Sequence, residues 1–152
     1  MKPELDFQKP PFSESFLGEL LRIFQLVFPA GRRDYLMWRL ENMPNVTVFT
    51  SAYGKHLTGF KAGYAFTESR YYSWLGGVDT VYRNQGIAKK LMSQQHRWLL
   101  GSVYSLVETH VEQSNKAMVQ LNHNSGLVIT GHFVKDGKPN YIMQKNVRLT
   151  DQ

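Results

Sequence analysis

The sequence predicts a mixed α/β domain, and three observations carry the prediction. The middle of the chain switches period twice, from strand-like alternation over 71–78 to helical spacing over 87–100 and back to alternation over 103–111. A strand, crossover helix and strand in that order imply a parallel pair with a right-handed connection. Strand patterns joined by short turns lie on either side of this unit, and they imply antiparallel additions. The third observation is the supply of core residues: 152 residues, 42% hydrophobic and 20% charged. That suffices for one compact core and falls short of two full-sized ones, so a single domain is expected over 1–152, and a wholly disordered chain is excluded.

The elements follow in order. Met1 to Pro11 is polar and proline-rich. After Pro10-Pro11, Ser13 can cap a helix with Glu14 in its first turn. Phe16, Leu17, Leu20, Leu21, Phe24, Val27 and Phe28 then share one helical face, and Pro29 and Gly31 stop it. A short helix is expected over Asp34 to Asn42, closed by Pro44. Val46 to Ala52 and Leu57 to Phe66 read as a hairpin turning at 53–56. Tyr71 to Val78 is a third strand, and its Gly76-Gly77 pair marks a bulge, a close backbone approach or a twist at a sheet edge. Ile87 to Leu100 is helical, capped by Gly101. A strand over Val103 to Val111 follows, then a helix capped by Ser114 or Asn115, with Ala117, Met118 and Leu121 facing inward and its end near Gly126. Strands over Leu127 to Val134 and Tyr141 to Leu149 turn at Asp136-Gly137. Trp38, Trp74 and Trp98 are expected mainly in the core, with Tyr71 to Trp74 also able to line a pocket.

Composition removes whole classes of chemistry. The chain has no cysteine, which excludes disulfides, thiolate zinc, iron–sulfur clusters and a cysteine nucleophile. Its five histidines show no i,i+3 or i,i+4 pairing, so no metal site is expected. There is no Gly-x-Ser-x-Gly elbow. The net charge of +6 suits an anionic ligand but is common on ordinary surfaces. The aromatic residues sit mostly at apolar-face positions, which ranks nucleic-acid binding last. No apolar run approaches a signal peptide or a membrane span, so no membrane partner and a cytoplasmic location are expected.

The segment Val78 to Leu91 carries the chemistry. It leaves a strand, turns, and enters a helix at Gly86. The first four N–H groups of a helix lack internal partners and that end is partly positive. Gly86 and Ala88 leave the backbone open to a bulky anion, with Arg83, Lys89 and Lys90 around it. A phosphate fits there, as does the plainer reading of a tight strand–helix connection. The three-glycine dinucleotide fingerprint and the P-loop Gly-Lys-Ser/Thr are both absent.

Arg83-x-x-Gly86-x-Ala88 resembles the Q/R-x-x-G-x-G/A signature of GNAT-type N-acetyltransferases, which cradle the coenzyme A pyrophosphate. Asn115, Ala117-Met118, Leu121 and Gly126 followed by an apolar residue resemble the family's later helix. Element order agrees from about Phe16 to Val147. The resemblance implies a mixed, mostly antiparallel sheet of about seven strands with a central splayed parallel pair, flanked by about four helices. It implies acetyl-CoA as co-substrate, held by Gly77, Val78, Thr80, Arg83, Asn84, Gln85, Gly86, Ile87, Ala88, Lys89 and Asn115. The strand end at Gly76, Gly77 and Val78 should be bulged and splay from the strand of Glu108, with an amide near Val78 polarising the thioester carbonyl.

On this resemblance an acetyl group moves to a primary amine by direct attack, and the acceptor is a small molecule or a peptide. A non-catalytic acyl-CoA sensor on the same fold is the alternative, prompted by one departure. Many relatives place a tyrosine seven residues after the helix asparagine to protonate the leaving thiolate, and here that position is Asn122. Coenzyme A then leaves as thiolate, or is protonated by water, His123 or Ser125. Glu68, Glu108 and His110 are the candidate bases, with Glu108 and His110 on one strand face, and a water relay is the alternative. Dimers are frequent among relatives, so a homodimer is allowed.

Overall fold

The computed structural model describes residues 2–149, so the ends of the expected 1–152 domain, residue 1 and residues 150–152, lie outside the described residues. Chain order runs β1 (Glu4–Gln8), α1 (Glu14–Val27), α2 (Arg33–Asn42), β2 (Thr47–Tyr53), β3 (His56–Ala65), β4 (Arg70–Val78), a 3-10 turn (Thr80–Tyr82), α3 (Ile87–Leu100), β5 (Leu106–Glu112), α4 (Lys116–Asn124), β6 (Val128–Lys135), β7 (Lys138–Asn146) and a 3-10 turn (Val147–Leu149). The strands form one seven-stranded sheet ordered β1-β2-β3-β4-β5-β7-β6. Among the described residues only β4 and β5 pair in parallel, and every other neighbouring pair is antiparallel. The expected mixed architecture with its central parallel pair is the one observed.

Helices cover both faces. On one, α1 and α2 place Phe16, Leu20, Ile23, Phe24, Leu36 and Leu40 against Phe60, Ala62 and Tyr64 of β3. On the other, α3 packs Ile87 and Leu91 against Phe49 of β2, and α4 joins Met92 of α3 against Val111 and Met143. Ser13 caps α1, its Oγ accepting from the Phe16 amide at 3.1 Å, and Asn115 rather than Ser114 caps α4. No helix among the described residues is long and apolar enough to cross a membrane.

Several boundaries differ from the sequence expectation. The proline-rich start contains an edge strand, β1, which pairs with β2 through Glu4 to Gln8. β5 begins at Leu106, because Val103 lies outside the ladder and is 77% exposed. β7 starts earlier, at Lys138, since the turn at Asp136-Gly137 closes more tightly than the proline at 139 suggests. Trp38 is 57% exposed and outside the core. In α4, Ala117 is exposed and Asn122 is the buried residue.

The bulge in β4 lies upstream of the glycine pair. Ala62 pairs with Leu75 and Gly63 with Ser73, so Trp74 is the extra residue. Gly76 and Gly77 stay in register with Lys61 and Phe60, and their small size answers to packing: a Cβ at Gly77 would lie 2.8 Å from Val27 Cγ2 of α1.

Candidate functional site

β4 and β5 pair through three residues only, Arg70 with Leu106, Tyr71 with Val107 and Tyr72 with Glu108. Thr109 Oγ1 donates to the Ser73 carbonyl at 2.9 Å where the ladder ends. Beyond that point the strands part, β5 continuing to Glu112 against β7 and β4 to Val78 against β3. The parted edge of β4 retains its polar groups. Asp79 donates its amide to the Thr58 carbonyl at 2.8 Å, and antiparallel pairs alternate between bonded and non-bonded. The next pair, Gly59 with Val78, therefore turns the Val78 amide away from β3 toward the opening. Gly76, opposite Lys61, has the same orientation.

At the open end β4 runs into the turn before α3. Asn84 and Gly86 both have left-handed backbone, φ 64° and 76°. Gly86 serves as the N-cap of α3, and the first amide bonded inside the helix is that of Lys90, donating to the Gly86 carbonyl at 3.0 Å. A Cβ at Gly86 would meet no atom within 4 Å, so the turn is an open cradle of helix-start amides. Thr80, Arg83, Asn84, Gln85 and Lys89 surround it in exposed positions. Ile87 points inward against Phe49 and Leu91, anchoring the helix start, so only its backbone faces the cradle. These features fit a diphosphate held by backbone amides with cations alongside.

The turn is braced from behind by residues that sequence reasoning missed. Buried Asp79 caps the 3-10 turn, accepting from the Val81 amide at 3.1 Å, and receives Arg22 Nη1 at 2.8 Å. Arg22 also donates to the Leu57 carbonyl at 2.7 Å and pairs with Glu19, which accepts from the Leu57 amide at 3.0 Å. Burial alone would raise the Asp79 carboxyl, but the bond from Arg22 leaves it below its ordinary value. The bond from Arg22 likewise lowers Glu19.

A cleft of about 800 Å³ passes through the gap between β4 and β5. On the α1/α2 face it is walled by Tyr35, Tyr64, Phe66, Tyr72, Trp74 and Phe133. Arg39 of α2 stacks among them, its guanidinium 4.7 Å from the Tyr35 ring and 5.7 Å from that of Trp74, and donates to the Tyr64 hydroxyl. His110 lies opposite. Its Nε2 sits 2.8 Å from Glu108 Oε2, and its Nδ1 faces the Tyr72 hydroxyl at 3.4 Å. Buried Glu108 also accepts from Gln144 Nε2 at 2.6 Å and has Arg70 Nη1 at 3.6 Å. Burial first, and Tyr64 second, raise the Tyr72 phenol, which therefore stays protonated. With the carboxylate on Nε2, the arrangement assigns the proton to Nε2–H and leaves Nδ1 as the acceptor facing the Tyr72 hydroxyl.

On the α3/α4 face the cleft is lined by Lys61, Asn115, Met118 and Asn122. Asn122 Nδ2 rests on Met143 Sδ at 3.7 Å, and the backbone carbonyl of Asn122 accepts from the Ser125 and Leu127 amides at the helix end. Asn115 is tied up as the α4 cap. Burial pushes the Lys61 ammonium down to about 8. Glu68 is exposed in the turn between β3 and β4, at the zipped end and away from the opening. His123 is exposed, and neither it nor Ser125 lines the cleft. The described residues contain no group of three or more His, Asp or Glu placed to hold a metal.

Comparison with known proteins agrees with this geometry. No curated protein matches the sequence. Among solved structures, a GNAT acetyltransferase from Elizabethkingia anophelis with acetyl-CoA bound superposes with a TM-score of 0.75 at 12% identity, over 95% of this chain and 98% of that one. Arabidopsis thaliana NAA60 in complex with acetyl-CoA gives 0.76 at 18% identity, over 95% and 99%. The Escherichia coli ribosomal-protein-S18-alanine N-acetyltransferase gives 0.78 at 15% identity, over 95% and 94%. These likenesses concern the fold. The acetyltransferase (GNAT) family model matches the sequence itself over residues 17–126, from within α1 through the end of α4. With the parted strands and the open glycine turn inside that span, the chain belongs to the GNAT acetyltransferase family and is an acyltransferase.

Proposed function

We propose that this protein moves an acetyl group from acetyl-CoA to a primary amine by direct attack. The observation that carries the reading is the parting of β4 and β5 after three residue pairs, next to the open cradle at Gly86. The pyrophosphate would rest on the amides at Gly86, Ile87 and Ala88, with Arg83 and Lys89 adding positive charge. The pantetheine arm would lie along the free edge of β4, where the outward amides of Gly76 and Val78 face it. A fixed amide aimed at the thioester oxygen stabilises the charge that develops in the tetrahedral intermediate.

The acceptor amine would enter from the aromatic side, past Tyr35, Trp74 and Phe133. His110 would take its proton on Nδ1, with Glu108 on Nε2 favouring that tautomer. Holding amine and thioester in one cleft supplies orientation, and no acyl-enzyme is needed. The side chain of Asn122 is a carboxamide, which can donate a hydrogen bond but is no general acid, so the thiolate leaves to solvent or takes its proton from elsewhere.

The test is calorimetric titration with acetyl-CoA followed by thiol release across a panel of amino acids, peptides, polyamines and aminoglycosides. Binding together with thiol release dependent on one acceptor class supports the reading. Binding with no acetylation of any amine would favour the sensor alternative.

A further inference from the structure

Lys61 is a half-buried cation that the proposed reaction does not use. It stands on β3 between Phe49 of β2 and Gly76 of β4, facing α3. Gly76 has no side chain to block it: a Cβ there would lie 3.7 Å from Lys61 Cγ, so the lysine stem runs over β4 at that glycine. Lys61 thereby lines the cleft that crosses the gap between β4 and β5. Among the described residues no carboxylate pairs with it. The titratable group of α3 that feels its charge is His96, kept neutral and accepting from Lys145 Nζ of β7 at 3.0 Å. Across the gap, His110 and Glu112 of β5, Arg39 of α2 and Lys135 of β6 border the same cleft.

We propose that Lys61 is itself an acetyl acceptor, acylated at Nζ by the thioester held in the gap. This rests on the reading that acetyl-CoA lies along β4. A thioester carbonyl is planar and open on two faces. The diffusible amine would approach from the aromatic side, and Lys61 approaches from the α3/α4 side. Burial leaves part of its nitrogen unprotonated near neutral pH, since the charged form is penalised in a low-dielectric site.

The ammonium first gives one proton to solvent. The amine lone pair then attacks the carbonyl carbon, the C–N bond forms and the C–S bond breaks. Coenzyme A leaves with the sulfur electron pair and takes up the second proton from nitrogen. The products are an Nε-acetyl-lysine and free coenzyme A. The amide does not hand its acetyl group on, so this is a modification and not an intermediate. It replaces a half-buried charge with a neutral group, which lowers the cost of burial.

The experiment incubates the purified full chain with isotope-labelled acetyl-CoA, then combines intact mass with peptide mapping. One labelled acetyl at Lys61 is expected, formed at least about tenfold faster than at exposed Lys55 because the thioester is held beside it. Excess free coenzyme A and the Gly86→Glu substitution should both suppress it, and Lys61→Arg should abolish label in that peptide. Unlabelled acetyl already on Lys61 of the purified protein would also support the proposal. Calorimetric binding of acetyl-CoA with Lys61 unlabelled, or labelled no faster than Lys55, would overturn it while leaving the proposed function standing. Absence of acetyl-CoA binding would overturn both.

Discussion

Arg22 Nη1 donates to Asp79 Oδ2 at 2.8 Å across 57 positions of sequence, fastening the middle of α1 to the residue that follows β4. Asp79 in turn caps the short helix leading to Gly86. The glycine turn is therefore held by a charged bond that reaches buried Asp79 from the opposite face of the sheet.

Arg22→Met should cost about 1–3 kcal/mol, the range for stranding a buried charged hydrogen-bonding partner. Denaturant unfolding measures it. Acetyl-CoA affinity should fall as well, because the turn loses its brace; unchanged affinity would show that the turn holds its shape unaided.

His96 gives a pH prediction. Burial first, then Lys145 and Lys61, push its imidazole down to about 3 from an ordinary 6.5. Between those values the unfolded chain takes up a proton that the folded chain refuses, so stability is full above 6.5 and declines as pH falls. By pH 5.5, where the carboxylates are still ionised in both states, about 1 kcal/mol should be lost. His96→Gln should flatten that slope in urea unfolding measured at each pH.

Gly86→Glu pays for a left-handed backbone at φ 76°, about 1–3 kcal/mol, but meets no neighbour within 4 Å and so should still fold. Gly86→Ala carries the same strain without the charge. Loss of acetyl-CoA binding should be much greater for Glu than for Ala, as read by calorimetry.

Gly77→Val should destabilise by about 1–3 kcal/mol through overpacking, because its Cβ would stand 2.8 Å from Val27 Cγ2. The check is a lowered melting temperature, with a compensating gain in the double variant Gly77→Val, Val27→Ala.

His110→Ala should lower kcat by about 10²- to 10⁴-fold, the usual worth of a positioned base, with little change in acetyl-CoA affinity. Initial rates with the acceptor found by the amine panel would decide it. A loss of only a few-fold would return the proton to a water relay.

What could be read from the sequence follows from which forces are local. Helix α1 was legible because Ser13 and the Phe16, Leu20, Phe24 spacing lie within one element, and the turn at Gly86 because its glycine sits between two clear patterns. β1 was hidden because five mostly exposed residues at a sheet edge owe their shape to β2 and not to themselves. The bulge was placed at the glycines, where flexibility is visible, whereas Trp74 bulges through the register between β3 and β4, which no single strand encodes. Glu108 and His110 were paired correctly by alternation. Arg22, Arg39 and Lys61 were missed because nothing near them in sequence tells that α1 brings Arg22 behind the glycine turn, or that α2 and β3 bring Arg39 and Lys61 to the cleft.

The short ladder between β4 and β5 divides the sheet into two leaves, β1-β2-β3-β4 and β5-β7-β6, sewn along a seam from Arg70 to Glu108. A seam of three pairs resists prying far less than the ladders beside it. Anything slender lodged between the leaves would supply the missing backbone partners and act as an extra strand. Filling the gap should thus stiffen the whole sheet, visible as slowed amide exchange along both lips when acetyl-CoA is added.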